Sequence, residues 1–416
     1  MGVWLGLSLL KFGNPVILDR LVEPPKGILE YVFASWPVGW GYWMLAALAL
    51  GGATIARFNT AAPRWLSVLP VIWFLWQLAS AAGSIEPRLT QATLFHFAAC
   101  VVCYYLGLFA LSRIRGLNGF WLLVLLGFAW VLWMGFGQHF GGLESTREMI
   151  RQQPGWQELP PEYLKRIASD RIFSTLVYPN ALAGAILLFL PTLLAVLFKM
   201  TSSLNNVVRG VLVGLLAYAS CACLYWSGSK SGLLILLACG LIALLRLPFQ
   251  RQAKLAIIGL VFLAGLAGFF IKFSDYFRRG ATSVSARFDY WQAAWQIARA
   301  HPVLGTGPGT FSVPYRQLKA PGSEMTRLVH NNFLEQASDS GLVGFIAFST
   351  FIIGSLTFLY RKSIVEPVRF CVWIGLLGWS LQGLVEFGLY IPATAWPAFL
   401  FFGWLTGVEF ESTRSD

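Results

Sequence analysis

The chain has 416 residues, of which 56% are hydrophobic and 12% charged, with a formal charge of +12 and a mean hydropathy of +0.63. Charged residues make up about a quarter of an ordinary soluble protein, so this composition excludes a water-soluble globular chain. Its apolar runs are continuous rather than alternating, which excludes a membrane β-barrel, and each is about 20 residues long, enough to cross a hydrocarbon core of roughly 30 Å as a helix. The fold class is an all-α polytopic membrane protein.

Spans are predicted near 3–19, 36–56, 65–85, 89–111, 117–137, 178–198, 207–226, 231–247, 255–271, 339–360, 369–389 and 391–410, about twelve in all. The stretch from Met1 to Leu10 has no basic lead and no small-residue cleavage site, so it is read as a retained first span. These runs divide the chain into N-terminal helices (1–137), a first large loop (138–177), central helices (178–271), a second large loop (272–338) and C-terminal helices (339–416). One set of alternate short loops collects Arg64, Arg113, Arg115, Lys199, Arg209, Arg246, Arg251, Lys254, Arg361 and Arg369. The opposite set carries only Arg20, Lys26, Arg88 and Lys230. By the positive-inside rule both termini are expected in the cytoplasm and both large loops outside. Those loops are themselves basic, with Lys165, Arg166 and Arg171 in the first and Arg278, Arg279, Arg287, Arg316 and Arg327 among those in the second. They fit either a surface facing anionic headgroups or a site for an anionic substrate. Membrane lipids are expected neighbours, and no nucleic-acid partner is expected.

The six cysteines all fall in apolar runs; Cys100 and Cys103 have metal-ligand spacing, but their neighbours Ala98, Val101 and Val102 favour a packed helix. Among the histidines, His96 sits mid-span as a packing residue, His139 lies at a membrane exit, and His301 closes a loop helix. That helix is predicted from a Ser285 cap to Ala300, ahead of Pro302. On it Phe288, Trp291 and Trp295 share a face that would pack on the membrane domain or enter the interface, or stack on a sugar through either Trp291 or Trp295. Gly305, Gly307 and Gly309 around Pro308 cannot continue a helix and let the backbone approach something closely. His330 precedes Asn331 and Asn332, which can cap the next helix with Glu335 in a capping-box position, leaving the imidazole at the membrane surface. There it can act as a general base.

Arg171 hangs outside the helix start at Pro179 and Asn180, Arg287 heads the loop helix, and Arg88 stands at an external span end. Each alone suits an interfacial anchor; together above one cavity they suit a diphosphate, with Lys230 of the Ser227–Gly232 turn as a further phosphate contact. No Asp-x-Asp, His-Glu-x-x-His or Walker loop occurs, so a metal-free mechanism is expected, with no cofactor. Glu386 is the one intramembrane acidic candidate, where proton-coupled transporters usually show more.

Four motifs, in order, resemble those of the O-antigen ligase and polymerase superfamily, bacterial envelope enzymes of the GT-C type. They are Arg171…Pro179-Asn180-x-x-Ala183; Ser229-Lys230-Ser231-Gly232; Arg287…Trp291/Trp295…Pro302-x-x-Gly305-x-Gly307-x-Gly309-x-Phe311; and His330-Asn331-x-x-Leu334…Gly341-x-x-Gly344. They cover about residues 170–345. Lys230 stands where the family pattern has arginine, which keeps the charge but not the bidentate fork. The resemblance implies transfer of a glycan from undecaprenyl diphosphate to a sugar hydroxyl of lipid A–core, on the periplasmic face of the inner membrane and with inversion. It implies His330, Arg287 and Arg171 as the essential residues, with Asn180, Asn331, Gly307 and Gly309 in the substrate-binding motifs. Polymerisation of lipid-linked repeats and transfer to a protein hydroxyl remain as alternatives. A lipid or glycan transporter is the non-enzyme alternative, although no inverted repeat is visible.

Overall fold

A computed structural model describes residues 1–56, 62–152, 156, 168–246, 248–278, 280, 282–363 and 366–409; Lys165, Arg166 and Arg279 lie outside them. All regular structure among the described residues is helical. Helices α1 (Gly2–Lys11), α2 (Ile28–Phe33), α3 (Val38–Ile55), α4 (Arg64–Ala81), α5 (Pro87–Phe109) and α6 (Asn118–Gly137) form the first part, with α7 (Leu143–Arg151) in the first large loop. Then come α8 (Pro179–Met200), α9 (Asn206–Trp226), α10 (Lys230–Leu244) and α11 (Arg251–Lys272). The second loop holds α12 (Ser274–Arg278), α13 (Thr282–Ala300) and α14 (Ser312–Leu318), and the chain closes with α15 (Asn332–Ser363), α16 (Pro367–Gln382) and α17 (Pro392–Glu409). Seven of these are long and apolar enough to cross a bilayer, and the chain is a multi-pass membrane protein.

Most helices fall where the hydropathy places them, with three instructive differences. The first span is only ten residues long, covering about 15 Å, half a bilayer core, because the chain turns at Phe12 toward Pro15. Helix α16 stops at Gln382, so Glu386 lies outside it, in the connection to α17 that carries only a short 3-10 turn at Gly388–Tyr390. Helix α15 begins at Asn332 and breaks at Gly341, whose φ of +70° is open to glycine.

The centre of the bundle is α5, α8, α16 and α17, which among the described residues carry most of the fully buried apolar side chains. Small residues set this closeness. A Cβ on Gly403 of α17 would meet Tyr104 O of α5 at 1.9 Å, so these two backbones touch, as packing without a hydrophobic drive between helices requires. Helix α11 is the opposite case: none of its residues is buried, and it packs chiefly against α10.

The second loop is fastened to this bundle by the break in α15. Breaking the helix at Gly341 frees the carbonyls of Ser338 and Asp339, and Thr306 N (3.1 Å) and Gly307 N (2.9 Å) take them. Gly309 N donates to Asp339 Oδ2 at 2.7 Å, and Ser80 Oγ reaches Leu304 O. The carbonyls of Ser338 and Asp339 are thus answered by the glycine loop and that of Ser340 by Trp76 Nε1 of α4 at 2.8 Å, as buried backbone demands.

Candidate functional site

Glu386 is the hub. Its Oε1 accepts from Asn180 Nδ2 at 2.5 Å and from Arg287 Nη2, and its Oε2 meets His330 Nδ1 at 3.1 Å. Its side chain is 6% exposed, against 18% for Arg287 and 25% for His330, so the carboxylate is covered while the imidazole is the most accessible of the three. Burial pushes the Glu386 carboxyl up, but His330 and Arg287 beside it outweigh that and hold it below the usual carboxylate range.

Each partner is held from elsewhere. Arg287, in the first half of α13, also donates from Nε to Val385 O (2.9 Å) and from Nη1 to Ser283 O (3.0 Å). His330 stacks on Tyr290 at 5.7 Å and meets Phe387 edge-on at 4.7 Å, so its ring plane is fixed. With Nδ1 on the carboxylate, Nε2 is the nitrogen left for a substrate. The turn carrying His330 is strained, with φ +55°. Ser174 and Val177, in the segment between Arg171 and Asn180, are the other non-glycine residues with positive φ among the described residues. All three therefore flank this cluster, where the surrounding bonds over-determine the backbone.

Arg171 closes the cluster on the other side. Its Nη2 donates to Asn180 Oδ1 (2.7 Å) and its Nε to Ser227 O (2.7 Å), and a Cβ on Gly228 (φ +60°) would meet its Nε at 3.2 Å. The Ser227–Gly228 turn is thus a cradle for this guanidinium. Burial lowers the Arg171 pKa from its usual value; Glu386 opposes that and Arg287 adds to it. Lys230, the first residue of α10, is close enough for the Arg171 and Arg287 charges to act on it, and its Nζ lies 3.8 Å from the Tyr276 ring centre.

The structure thus gathers His330, Arg287, Arg171 and Asn180 into one bonded network, with Lys230 beside it. The other expected site residues are placed differently. Asn331 Oδ1 accepts from Phe333 N and Leu334 N, both at 3.0 Å, as the cap of α15. Glu335 does not complete the expected box; it binds Val329 N at 3.1 Å, because Asn332 N is already committed to Gly383 O at 2.7 Å. Gly307 and Gly309 lie buried against Ser84 and Thr93, so the close approach they allow is to the protein's own α5 region. Arg88 is exposed on α5, and neither it nor the two glycines has a bond to the cluster among the described residues. Trp291 is half-buried beside Phe288, its ring centre 5.5 Å away.

Helix α13 also starts at Thr282, ahead of Ser285, and its aromatic stripe does not pack on the membrane domain. Tyr290, Ala293, Ala294 and Ile297 are the buried face, packed with Phe311, Tyr315 and Val329, while Phe288 (60%) and Trp295 (49%) are exposed. Of the remaining histidines, His96 is fully buried with Nε2 2.7 Å from Leu389 O, as a packing residue should be, and His139 stacks on Trp226. Glu386 is the residue that sequence reasoning did not place in the site; its signal was a single carboxylate in an otherwise apolar stretch.

No curated protein matches the chain. Residues 214–349 match the family described as O-antigen ligase, a segment that holds Lys230, Arg287, the glycine loop and His330, while Arg171, Asn180 and Glu386 lie outside it. By that segment the chain carries the domain of the O-antigen ligase family, the ligase- and polymerase-type membrane glycosyltransferases.

Proposed function

We propose that the chain transfers a glycan from a polyprenyl diphosphate donor, undecaprenyl diphosphate in the bacterial inner membrane, to a sugar hydroxyl of lipid A–core on the periplasmic face. The observation that carries this reading is the His330–Glu386–Arg287 network with Arg171 bonded to it through Asn180. His330 Nε2 takes the proton of the acceptor hydroxyl as its oxygen attacks the anomeric carbon. Glu386 fixes the imidazole by its Nδ1 and balances the imidazolium that forms, a positioning role like that of the carboxylate in a Ser-His-Asp triad. The bond to the diphosphate breaks from the opposite face, so the anomeric centre inverts. Arg171 receives the charge that grows on the leaving phosphate, since its guanidinium has donors beyond those given to Ser227 and Asn180. Arg287 is bonded through Nε, Nη1 and Nη2 to Val385, Ser283 and Glu386, so it acts mainly by holding the base in place.

A metal-free step fits the donor set. Both oxygens of the one carboxylate in the cluster are already engaged, and among the described residues no group of three or more His, Cys, Asp and Glu is arranged to hold an ion. The test is the glycan profile of a strain lacking the gene. Full-length polymer left on the lipid carrier with bare lipid A–core is the expected result; single repeats on the carrier would instead make the enzyme a polymerase.

A further inference from the structure

Behind the His330 turn lies a buried polar cluster that the proposed chemistry does not use. Glu335 and Asp339 stand one turn apart on the unbroken first part of α15, so their side chains share a face, and both are fully buried. They are near enough for their charges to interact, and no cation pairs with either among the described residues. Two adjacent carboxylates without a cation cannot both stay ionised in such a place. The surrounding donors decide which of them carries a proton. Trp73 Nε1 can only donate, and it donates to Gln336 Oε1 at 2.7 Å, as does Gln77 Nε2 at 3.0 Å. The Gln336 amide is thereby oriented, and its Nε2 donates to the Tyr390 hydroxyl oxygen at 3.4 Å. That leaves the Tyr390 proton for Asp339 Oδ2 at 3.0 Å, which also accepts from Gly309 N at 2.7 Å. Glu335 has one donor, Val329 N, on Oε2 at 3.1 Å. What remains is Glu335 Oε1 and Asp339 Oδ1, both buried and both without a hydrogen-bond partner among the described residues.

We infer that Glu335 is held as the neutral acid and donates its proton from Oε1 to the Asp339 carboxylate, and that this carboxyl pair is a positioning device for His330. One proton serves both remaining oxygens, and all four oxygens of the pair then have a partner. The bond matters for the base because of what its two ends hold. Glu335 Oε2 fixes Val329 N, directly before His330, whose φ of +55° needs support from its surroundings. Asp339 holds the glycine loop, through Oδ2 on Gly309 N and its backbone oxygen on Gly307 N. The pair therefore ties the turn of His330 to that loop and to the kink of α15, and the imidazole meets Glu386 from a fixed backbone. The inference rests on the transferase reading for the role of His330, while the shared proton stands on the packing alone.

The test uses the full-length protein in lipid nanodiscs. At neutral pH the infrared difference spectrum between wild type and Glu335→Gln should show the C=O band of a protonated carboxyl in the wild type. Glu335→Ala should lower kcat by roughly tenfold to a hundredfold, as a misplaced reacting group does, with donor and acceptor KM within about twofold. Glu335→Gln should restore most of that loss, because its amide accepts from Val329 N and donates to Asp339. Adding Asp339→Asn to it should remove the rescue, because two NH2 groups then face each other. A missing carboxyl band would overturn the shared proton. So would a wild-type melting temperature that depends on sodium or potassium, which would mean that a cation balances two carboxylates. Unchanged kcat in Glu335→Ala would overturn the positioning role. If the band is present but the wild type transfers no glycan, the pair stands and the transferase reading fails instead.

Discussion

At the His330 end of the cluster both oxygens of Glu386 are engaged, by Asn180, Arg287 and His330, and two aromatic rings fix the imidazole. At the Lys230 end, the ammonium lies over the Tyr276 and Phe273 rings, and Arg171 beside it donates to Ser227 O and Asn180 Oδ1. The first end is balanced in charge and fixed in geometry before any substrate arrives, as preorganised proton transfer requires. The second carries a positive excess, which is what the proposed diphosphate contact of Arg171 calls for. The proposed base and the proposed diphosphate contact are thus distinct, and Asn180 links them, its amide nitrogen donating to Glu386 and its oxygen accepting from Arg171.

Substitutions at the two ends should therefore fail in different ways. The largest effect belongs to His330→Ala, which should cut turnover by roughly 10²–10⁴-fold and leave donor binding nearly unchanged. Glu386→Gln should follow with a loss of roughly 10²-fold, because the ring loses the carboxylate that orients it; steady-state kinetics with unchanged donor KM would confirm the positioning role. Stability separates the two arginines. Arg287→Ala strands a buried carboxylate and should cost about 3–5 kcal/mol. Arg171→Ala strands no charge and should cost about 1–3 kcal/mol for Ser227 O and Asn180 Oδ1, while weakening donor binding. Thermal unfolding of the two purified variants distinguishes them, and equal losses would break the contrast.

The pH dependence of stability sharpens the same point. The folded carboxyl of Glu386 is held below its ordinary value of 4.5, so its contribution is fully present above that pH and is lost as pH falls through the lower folded value. The gap in melting temperature between wild type and Glu386→Gln should accordingly be constant near neutrality and close in acid. The smallest expected effect is that of EDTA: transfer should continue in its presence, and a loss that magnesium or manganese restores would refute the metal-free step.

Much of this was legible in the sequence, and the limits have physical reasons. Helix positions follow from apolar run length, because a bilayer core sets it. The exceptions sit where the backbone breaks: the short α1, the kink at Gly341 that fastens the second loop, and the end of α16 before Glu386. Arg171, Arg287, His330 and Asn180 were readable as polar residues at the edges of apolar runs. Glu386 was visible only as an isolated acid, since pairing it with residues 56 to 206 positions away depends on how α8, α13 and α16 pack. The glycine loop looked like a ligand contact because glycine spacing reports close approach but not to what; Asp339 and Thr93 supply the answer. The α13 aromatics illustrate the same limit, as helical spacing singled out the Phe288, Trp291 and Trp295 face whereas the buried face carries Tyr290 and Ile297.

The central claim, that His330 is the base and not merely the residue before a helix, is tested most directly by the pH profile of glycan transfer in wild type and His330→Ala. The wild type should lose activity on the acidic side, as an enzyme that depends on a general base does, and the residual activity of the variant should lack that limb. A His330→Ala enzyme with near wild-type turnover and an unchanged acidic limb would contradict the account.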